Sequence, residues 1–180
     1  GTAAEDIYIN VGDIQFIGGG TENHRIIGTI DTAINVDLVC GNVTAGSLLN
    51  CRNGSGNINI KVNGNVFVGP SGGNTESVVE YSSGNYVINI FVTGVIDITA
   101  FGNIRAGVYR CATGANNGTS ITLKADIKTD KDHIFGLFNH VDGLLPKELN
   151  YTGRVYGDGS ADLVYETKTA GTYAKVINLD

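Results

Sequence analysis

The chain repeats a short phrase in which apolar and polar residues alternate. The stretch NINIKVNGNVFVG (57–69) alternates, breaks at Asn63-Gly64 and resumes, and VINIFVTGVIDIT (87–99) does the same around Thr93-Gly94. Alternation with a period of two predicts β-strands that bury one face and expose the other. The helical period of 3.6 is hard to find anywhere in the chain. The pattern therefore predicts an all-β protein.

The phrase recurs along the whole chain, which ends on KVINLD (175–180). Its first apolar residue returns after 27, 24, 30, 33, 28 and 28 residues. The starts are Ile7, Ile34, Ile58, Ile88, Ile121, Leu149 and Ile177. Such a period indicates stacked supersecondary units. We predict a single parallel β-solenoid domain (1–180) of about six coils with three short strands each. Residues 1–33 fit the rhythm poorly and are expected to form an irregular N-terminal coil or cap, whereas 34–180 form regular coils.

A β-sandwich or Greek-key barrel is the rival fold. Either would need hairpin turns between sequential strands, whereas a phrase repeated in the same direction predicts parallel stacking.

Superposing the units predicts which side chains stack inside the coil. One stack holds Ile58, Ile88, Ile121 and Leu149, and the next holds Ile60, Ile90, Leu123 and Tyr151. On the third strand Tyr81 and Cys111 are expected inside, with Cys51 two coils from Cys111. Two coils span about 9.6 Å, which is too far for a disulfide. Cys40, Cys51 and Cys111 are therefore expected to be free, with at least the last two buried.

The outward positions should form polar columns. The candidate ligand-binding column comprises Asn59, Asn89, Thr122 and Asn150. Stacked amides can hydrogen-bond from coil to coil, so the column serves either solubility and register or the docking of sugar hydroxyls. On the third strand, Glu80 should lie one coil from Arg110 as a cross-strand pair.

The loops between the second and third strands carry most of the candidate catalytic chemistry. Their acids are Glu22, Glu76, Asp130, Asp132, Asp158 and Asp162. Glu76, Asp130, Asp132 and Asp158 are the weak catalytic candidates, because glycosidases use carboxylates about 5–10 Å apart. Acids from successive coils are also possible Ca²⁺ ligands. DKDH (130–133) and GDGSAD (157–162) lack a complete ligand set and are expected to be turns, so no metal site is predicted.

Composition and charge exclude some partners. A net charge of −6 without a basic patch argues against nucleic acid. No apolar run approaches 18 residues, so membrane insertion is not expected. The 26 Gly and only 2 Pro suit strands and turns. The chain opens without Met, and we expect a processed chain or an excised segment.

In architecture and rhythm the chain resembles the right-handed parallel β-helix of the pectate-lyase-like group, which includes viral tailspikes. The resemblance covers nearly the whole chain, without a diagnostic motif. It implies a right-handed coil and an outer face that meets glycans. Members that cleave glycans use carboxylates, or calcium with an Arg base, and the Asn/Asn/Thr/Asn and Glu/Arg columns do not match the calcium arrangement.

We therefore expect a non-catalytic viral or phage tail spike or fibre segment, or a similar adhesin, at the virion surface or outside the cell. Its partner is a cell-surface glycan and it needs no cofactor. The alternatives are a polysaccharide hydrolase or lyase and a structural spacer. Open solenoid ends expose unpaired strand edges, so a homotrimer is expected, with Phe91 and Ile96 as candidate contacts.

Overall fold

The computed structural model describes residues 4–16, 25–30, 32–68, 78–81, 84–99, 109–111, 118–129, 138–140, 148–157, 164–165 and 178–179. In this part the chain is all β, contains no helix and forms a curled parallel sheet. The strands are β1 (Glu5–Asn10), β2 (Ile14–Gln15), β3 (Arg25–Ile30), β4 (Ile34–Cys40), β5 (Val43–Ala45), β6 (Ser47–Arg52), β7 (Gly54–Val62), β8 (Val66–Val68), β9 (Val79–Tyr81), β10 (Gly84–Asp97), β11 (Tyr109–Cys111), β12 (Ser120–Thr129), β13 (Phe138–His140), β14 (Glu148–Gly153), β15 (Val155–Gly157), β16 (Val164–Tyr165) and β17 (Asn178–Leu179).

The strands pair in three ladders. The first ladder runs β1-β4-β7-β10-β12-β14-β17. The second runs β2-β5-β8 and continues through the ends of β10 and β12 to β15, so it belongs to the same 11-stranded sheet. The third is a separate six-stranded sheet, β3-β6-β9-β11-β13-β16. All pairings between these described strands are parallel, which contradicts the sandwich and Greek-key alternative.

The register aligns the residues of both predicted stacks, and the members whose side chains are described are buried. Ile58 pairs with Ile88, Ile88 with Ile121, and Ile121 with Leu149. The second stack is aligned in the same way through Ile60, Ile90, Leu123 and Tyr151. Ile58 and Ile88 are fully buried, and burying one such side chain contributes about 1.5–3 kcal/mol. Alternation thus identified the core of the first ladder.

The register differs from the predicted phase near both ends of the described chain. Ile58 pairs with Val36 rather than with Ile34, and Ile7 also pairs with Val36. Near the other end Thr152 pairs with Asn178, an offset of 26 residues where 28 was expected. Both slips are of two residues, so the buried face is unchanged.

The first three strands pair in the same order as the strands of the later units, although the sequence of this segment is irregular. The strands β1, β2 and β3 each extend one ladder, pairing with β4, β5 and β6. The β1 edge is exposed: Ile7 is 40% and Ile9 36% accessible. Whether 1–33 acts as a cap stays a prediction.

The corner between the first two ladders is built on Gly followed by Asp or Asn. In each case the side-chain Oδ1 accepts the backbone N–H of the residue one strand further along. Asp13 accepts from Asn42 (2.7 Å), Asn42 from Asn65 (2.9 Å) and Asn65 from Val95 (2.9 Å). This column, here called the corner ladder, satisfies backbone donors at a point where the strands bend.

The corner ladder explains the glycines beside it. A Cβ at Gly41 would collide with the Asp13 carboxylate, and one at Gly64 or Gly94 with the amide of the preceding corner residue. The next unit has Ala125 in place of this glycine, and there the preceding corner residue is Val95, which pairs with Asp126 and has no side-chain oxygen. The glycines are therefore required by close approach between neighbouring strands.

One predicted outward residue lies inside. Ile96 was expected as a trimer contact but is fully buried. β10 continues from Gly84 to Asp97 across the corner, and the two residues Thr93-Gly94 leave the alternation in phase. Even-numbered positions therefore stay inward on both sides of the bend.

The register predicted for the thiols is confirmed. Cys51 pairs with Tyr81, and Tyr81 pairs with Cys111, so Cys51 and Cys111 lie two strands apart. Cys40 and Cys51 are buried, and neither forms a disulfide. Burial, with a smaller contribution from Asp13, raises the pKa of the Cys40 thiol. The side chain of Cys111 lies outside the described residues, as do those of Glu80 and Arg110, although the backbone register of that pair is as predicted.

Candidate functional site

The predicted polar column lies on the outer face of the first ladder. Asn59 pairs with Asn89, Asn89 with Thr122, and Thr122 with Asn150. The column begins one strand earlier than predicted, because Asp37 pairs with Asn59. Counted from Ile34, the residue in this position would be Asn35, and the two-residue difference in register replaces it with Asp37.

Side chains in this column are joined by directed hydrogen bonds. The Asn89 amide donates to Asn59 Oδ1 at 2.9 Å, and the Asn59 amide donates to Asp37 Oδ1 at 2.6 Å. Each amide is thereby fixed in one orientation, and the chain of donors ends on a carboxylate, the stronger acceptor. Asn150 is separate from this chain, because its amide donates to Glu148 Oε1 at 3.0 Å.

A second column runs beside the first, two residues further along each strand. It holds Val39, Lys61, Phe91 and Lys124, aligned by the same register. Phe91 is 37% exposed, and the Lys124 ammonium lies 5.4 Å from its ring centroid. An aromatic ring left exposed between two lysines offers an apolar surface with charged flanks.

The two columns line an open groove of about 520 Å³. Its polar lining is Asp37, Asn59, Lys61, Asn89, Thr122 and Lys124. Its apolar surface comes from Phe91, Val39 and the strand backbone around Leu38, Ile60 and Ile90. The groove therefore brings together Asn59, Asn89 and Thr122 of the predicted ligand-binding residues and leaves Asn150 beyond its lining.

Sequence reasoning missed the second column. Lys61, Phe91 and Lys124 each stand two residues after Asn59, Asn89 and Thr122, so the repeat that predicted the first column contained the second as well. The repeat alone gives no reason to group Lys and Phe with the amides, and their shared position in the groove becomes apparent only in the structure.

A neighbouring polar cluster on the second ladder has a structural role. Lys128 Nζ lies 3.1 Å from Asp97 Oδ2, and the Thr99 hydroxyl donates to Asp97 Oδ1 at 2.6 Å. Burial alone would raise the pKa of Asp97, but the Thr99 hydrogen bonds and the Lys128 ammonium together lower it. With all its groups paired, this cluster stabilises the strands that carry it.

The candidate catalytic residues Glu76, Asp130, Asp132 and Asp158 lie outside the described residues. Among the described residues that line the groove, Asp37 is the single carboxylate. The described ranges contain no group of three or more His, Cys, Asp and Glu residues that could hold a metal ion. They also contain no helix long and apolar enough to cross a membrane.

Comparison with protein-family models, with curated protein sequences and with solved structures finds no match to this chain.

Proposed function

We propose that the chain is a non-catalytic β-helix segment of a viral or phage tail spike or fibre, or of a similar surface adhesin, that attaches to a cell-surface glycan. The finer fold is part of this proposal: a right-handed parallel β-helix of about six coils, each with three short strands. The three parallel ladders and the repeat period support it.

The groove on the first ladder is the observation that carries the proposal. Sugars are recognised by amides and carboxylates that hydrogen-bond hydroxyl groups, together with an aromatic ring against an apolar sugar face. Asn59, Asn89 and Asp37 supply the first kind of group in fixed orientations, and Phe91 supplies the second. A groove that runs across several strands suits an extended oligosaccharide.

Attachment is favoured over cleavage because glycoside hydrolysis uses two carboxyl groups about 5–10 Å apart. The groove presents Asp37, whose Oδ1 already accepts the Asn59 amide. A hydrolase or lyase that uses the loop acids is the alternative, and a purely structural spacer is the third reading.

A glycan array combined with a reducing-end assay on polysaccharides separates the three. We expect binding without release of reducing ends. Release of reducing ends would establish the hydrolase or lyase alternative. The absence of both binding and release would favour a structural spacer.

Two variants in the groove and one control variant on the same strand test whether the groove is the binding site. Asn89→Ala and Phe91→Ala should each weaken glycan binding about five- to tenfold, the loss of about 1–1.4 kcal/mol. Asn85→Ala changes an exposed amide on the same strand outside the groove and should bind like the wild type. Unchanged binding by both groove variants would remove the groove from the proposal.

The homotrimer is also proposed. Ile96 is excluded as a contact by its burial, and Phe91 cannot be covered by a subunit while it binds a sugar. Light scattering over a hundredfold dilution tests the assembly, and a constant monomer mass would exclude it.

A further inference from the structure

The column Lys61–Phe91–Lys124 points to the chemical class of the glycan. Register places the three residues on adjacent strands, so the two lysine Cα atoms are about 9.6 Å apart with the phenyl ring between them. That span is comparable to one or two sugar rings. A ring lying on Phe91 would have an ammonium group within reach on either side.

Both lysines are available for a ligand. Among the described residues, Lys128 forms an ion pair with Asp97, and Arg154 forms one with Asp126. Lys61 and Lys124 have no carboxylate partner in the part of the chain that the structure describes, and the Lys124 ammonium lies over the face of Phe91. On a chain with a net charge of −6, two unpaired lysines beside one exposed aromatic ring form a local cationic site.

The negative and positive groups of the groove lie in different columns. Asp37 stands at the start of the amide column, whereas Lys61 and Lys124 belong to the parallel column two residues further along the strands. A ligand would match both columns if its hydroxyl groups contacted the amides and its anionic substituent contacted the lysines. In the opposite orientation the anionic substituent would lie against Asp37, and the repulsion would weaken binding.

We propose that the groove selects a glycan bearing an anionic sugar, whose ring packs on Phe91 and whose negative group is held by Lys61 and Lys124. This inference rests on the proposed glycan attachment and adds its charge class. Carboxylated and sulfated sugars share the required chemistry, and the probes below separate them.

The test compares matched probes on the whole chain. A panel of sialylated glycans with their desialylated counterparts, and sulfated glycans with their desulfated counterparts, is measured at low and at high salt. The anionic member of at least one pair should bind about five- to tenfold more tightly at low salt, and the difference should shrink as salt rises. The pair that shows the difference identifies the substituent.

Charge variants then locate the effect. Lys61→Gln and Lys124→Gln should each reduce binding of the anionic glycan towards that of its neutral counterpart and leave the neutral glycan unchanged. Lys128→Gln makes the same change in net charge on the second ladder, outside the groove, and should preserve the preference. Equal loss of preference in all three variants would show a general effect of charge and overturn the assignment.

The outcomes separate the two proposals. Neutral and anionic members binding equally would overturn the charge class while glycan attachment stands. No binding to any member of any pair would overturn attachment and this inference together.

Discussion

The Asp13 carboxylate accepts the backbone N–H of Asn42 at 2.7 Å, across 29 residues of sequence. This contact is the first step of the corner ladder, in which each Asp or Asn side chain binds the backbone of the next unit. It joins two consecutive repeats of the chain. The bend between the first two ladders is thus set by side chains as well as by strand pairing.

Gly41→Ala should destabilise the protein because its methyl group would collide with the Asp13 carboxylate. The expected loss is about 1–3 kcal/mol, which combines the clash with a weakened hydrogen bond. Gly12→Ala is the matched control, since Gly12 precedes the corresponding corner residue and a Cβ there meets nothing within 4 Å. Urea denaturation of both variants measures the difference, and equal losses would contradict the corner ladder.

Alternation predicted the core of the first ladder because the buried face excludes polar residues at every second position. The strand INVDLVC (34–40) shows its limit. Ile34, Val36 and Leu38 share one parity, so a period-two pattern cannot decide which of them pairs with Ile58. Contacts with the neighbouring strand determine which of the three pairs with Ile58. The same register determines whether Asp37 belongs to the polar column.

The residues of the corner ladder are visible in the sequence as a repeated pattern, but their contacts are not. Glycine is followed by Asp or Asn at three successive bends, in Gly12-Asp13, Gly41-Asn42 and Gly64-Asn65. The break in alternation at Asn63-Gly64 marks the position of the bend but not the residue that holds it. The side-chain oxygen after the glycine, which binds the next unit, is a contact between repeats, and it becomes visible only when the units are aligned.

Ile90→Asp should unfold the domain, whereas Val87→Asp should be tolerated. Both changes place a carboxylate on β10, but Ile90 is 2% exposed and Val87 is 45% exposed. An unpaired buried charge costs at least about 4 kcal/mol, and an exposed one costs little. Thermal melts followed by circular dichroism compare the two. Similar losses would mean that the assigned faces are wrong.

Buried thiols should react only after unfolding. Cys40 and Cys51 are 1% and 0% exposed, and the raised pKa of Cys40 further lowers its thiolate fraction. A thiol reagent at neutral pH should label neither residue in the native protein, and in denaturant all three cysteines should react. Two thiols missing after denaturation would indicate a disulfide, which the two-strand separation of Cys51 and Cys111 excludes.

Stability should fall on acidification because paired carboxylates are held ionised in the folded chain. The backbone N–H and guanidinium of Arg154 lower the pKa of Asp126 below its ordinary value of 3.8. A carboxyl group with a lowered folded pKa stabilises the protein above its unfolded pKa, and this contribution disappears as pH falls through the folded value. Asp97, whose pKa is lowered as well, acts in the same direction. The loss should therefore begin near pH 5 and grow below about pH 4.

Asp126→Asn isolates the Asp126 contribution to this acid sensitivity. The amide oxygen keeps an acceptor for the Arg154 N–H, which lies 3.0 Å from Asp126 Oδ1, but the side chain no longer titrates. The variant should be less stable than the wild type at pH 7, where the ion pair with the Arg154 guanidinium is lost, and the two should converge towards pH 3. Urea midpoints measured at half-unit steps between pH 3 and pH 7 provide the comparison. Parallel profiles for the two proteins would show that Asp126 does not supply the acid-sensitive part of the stability.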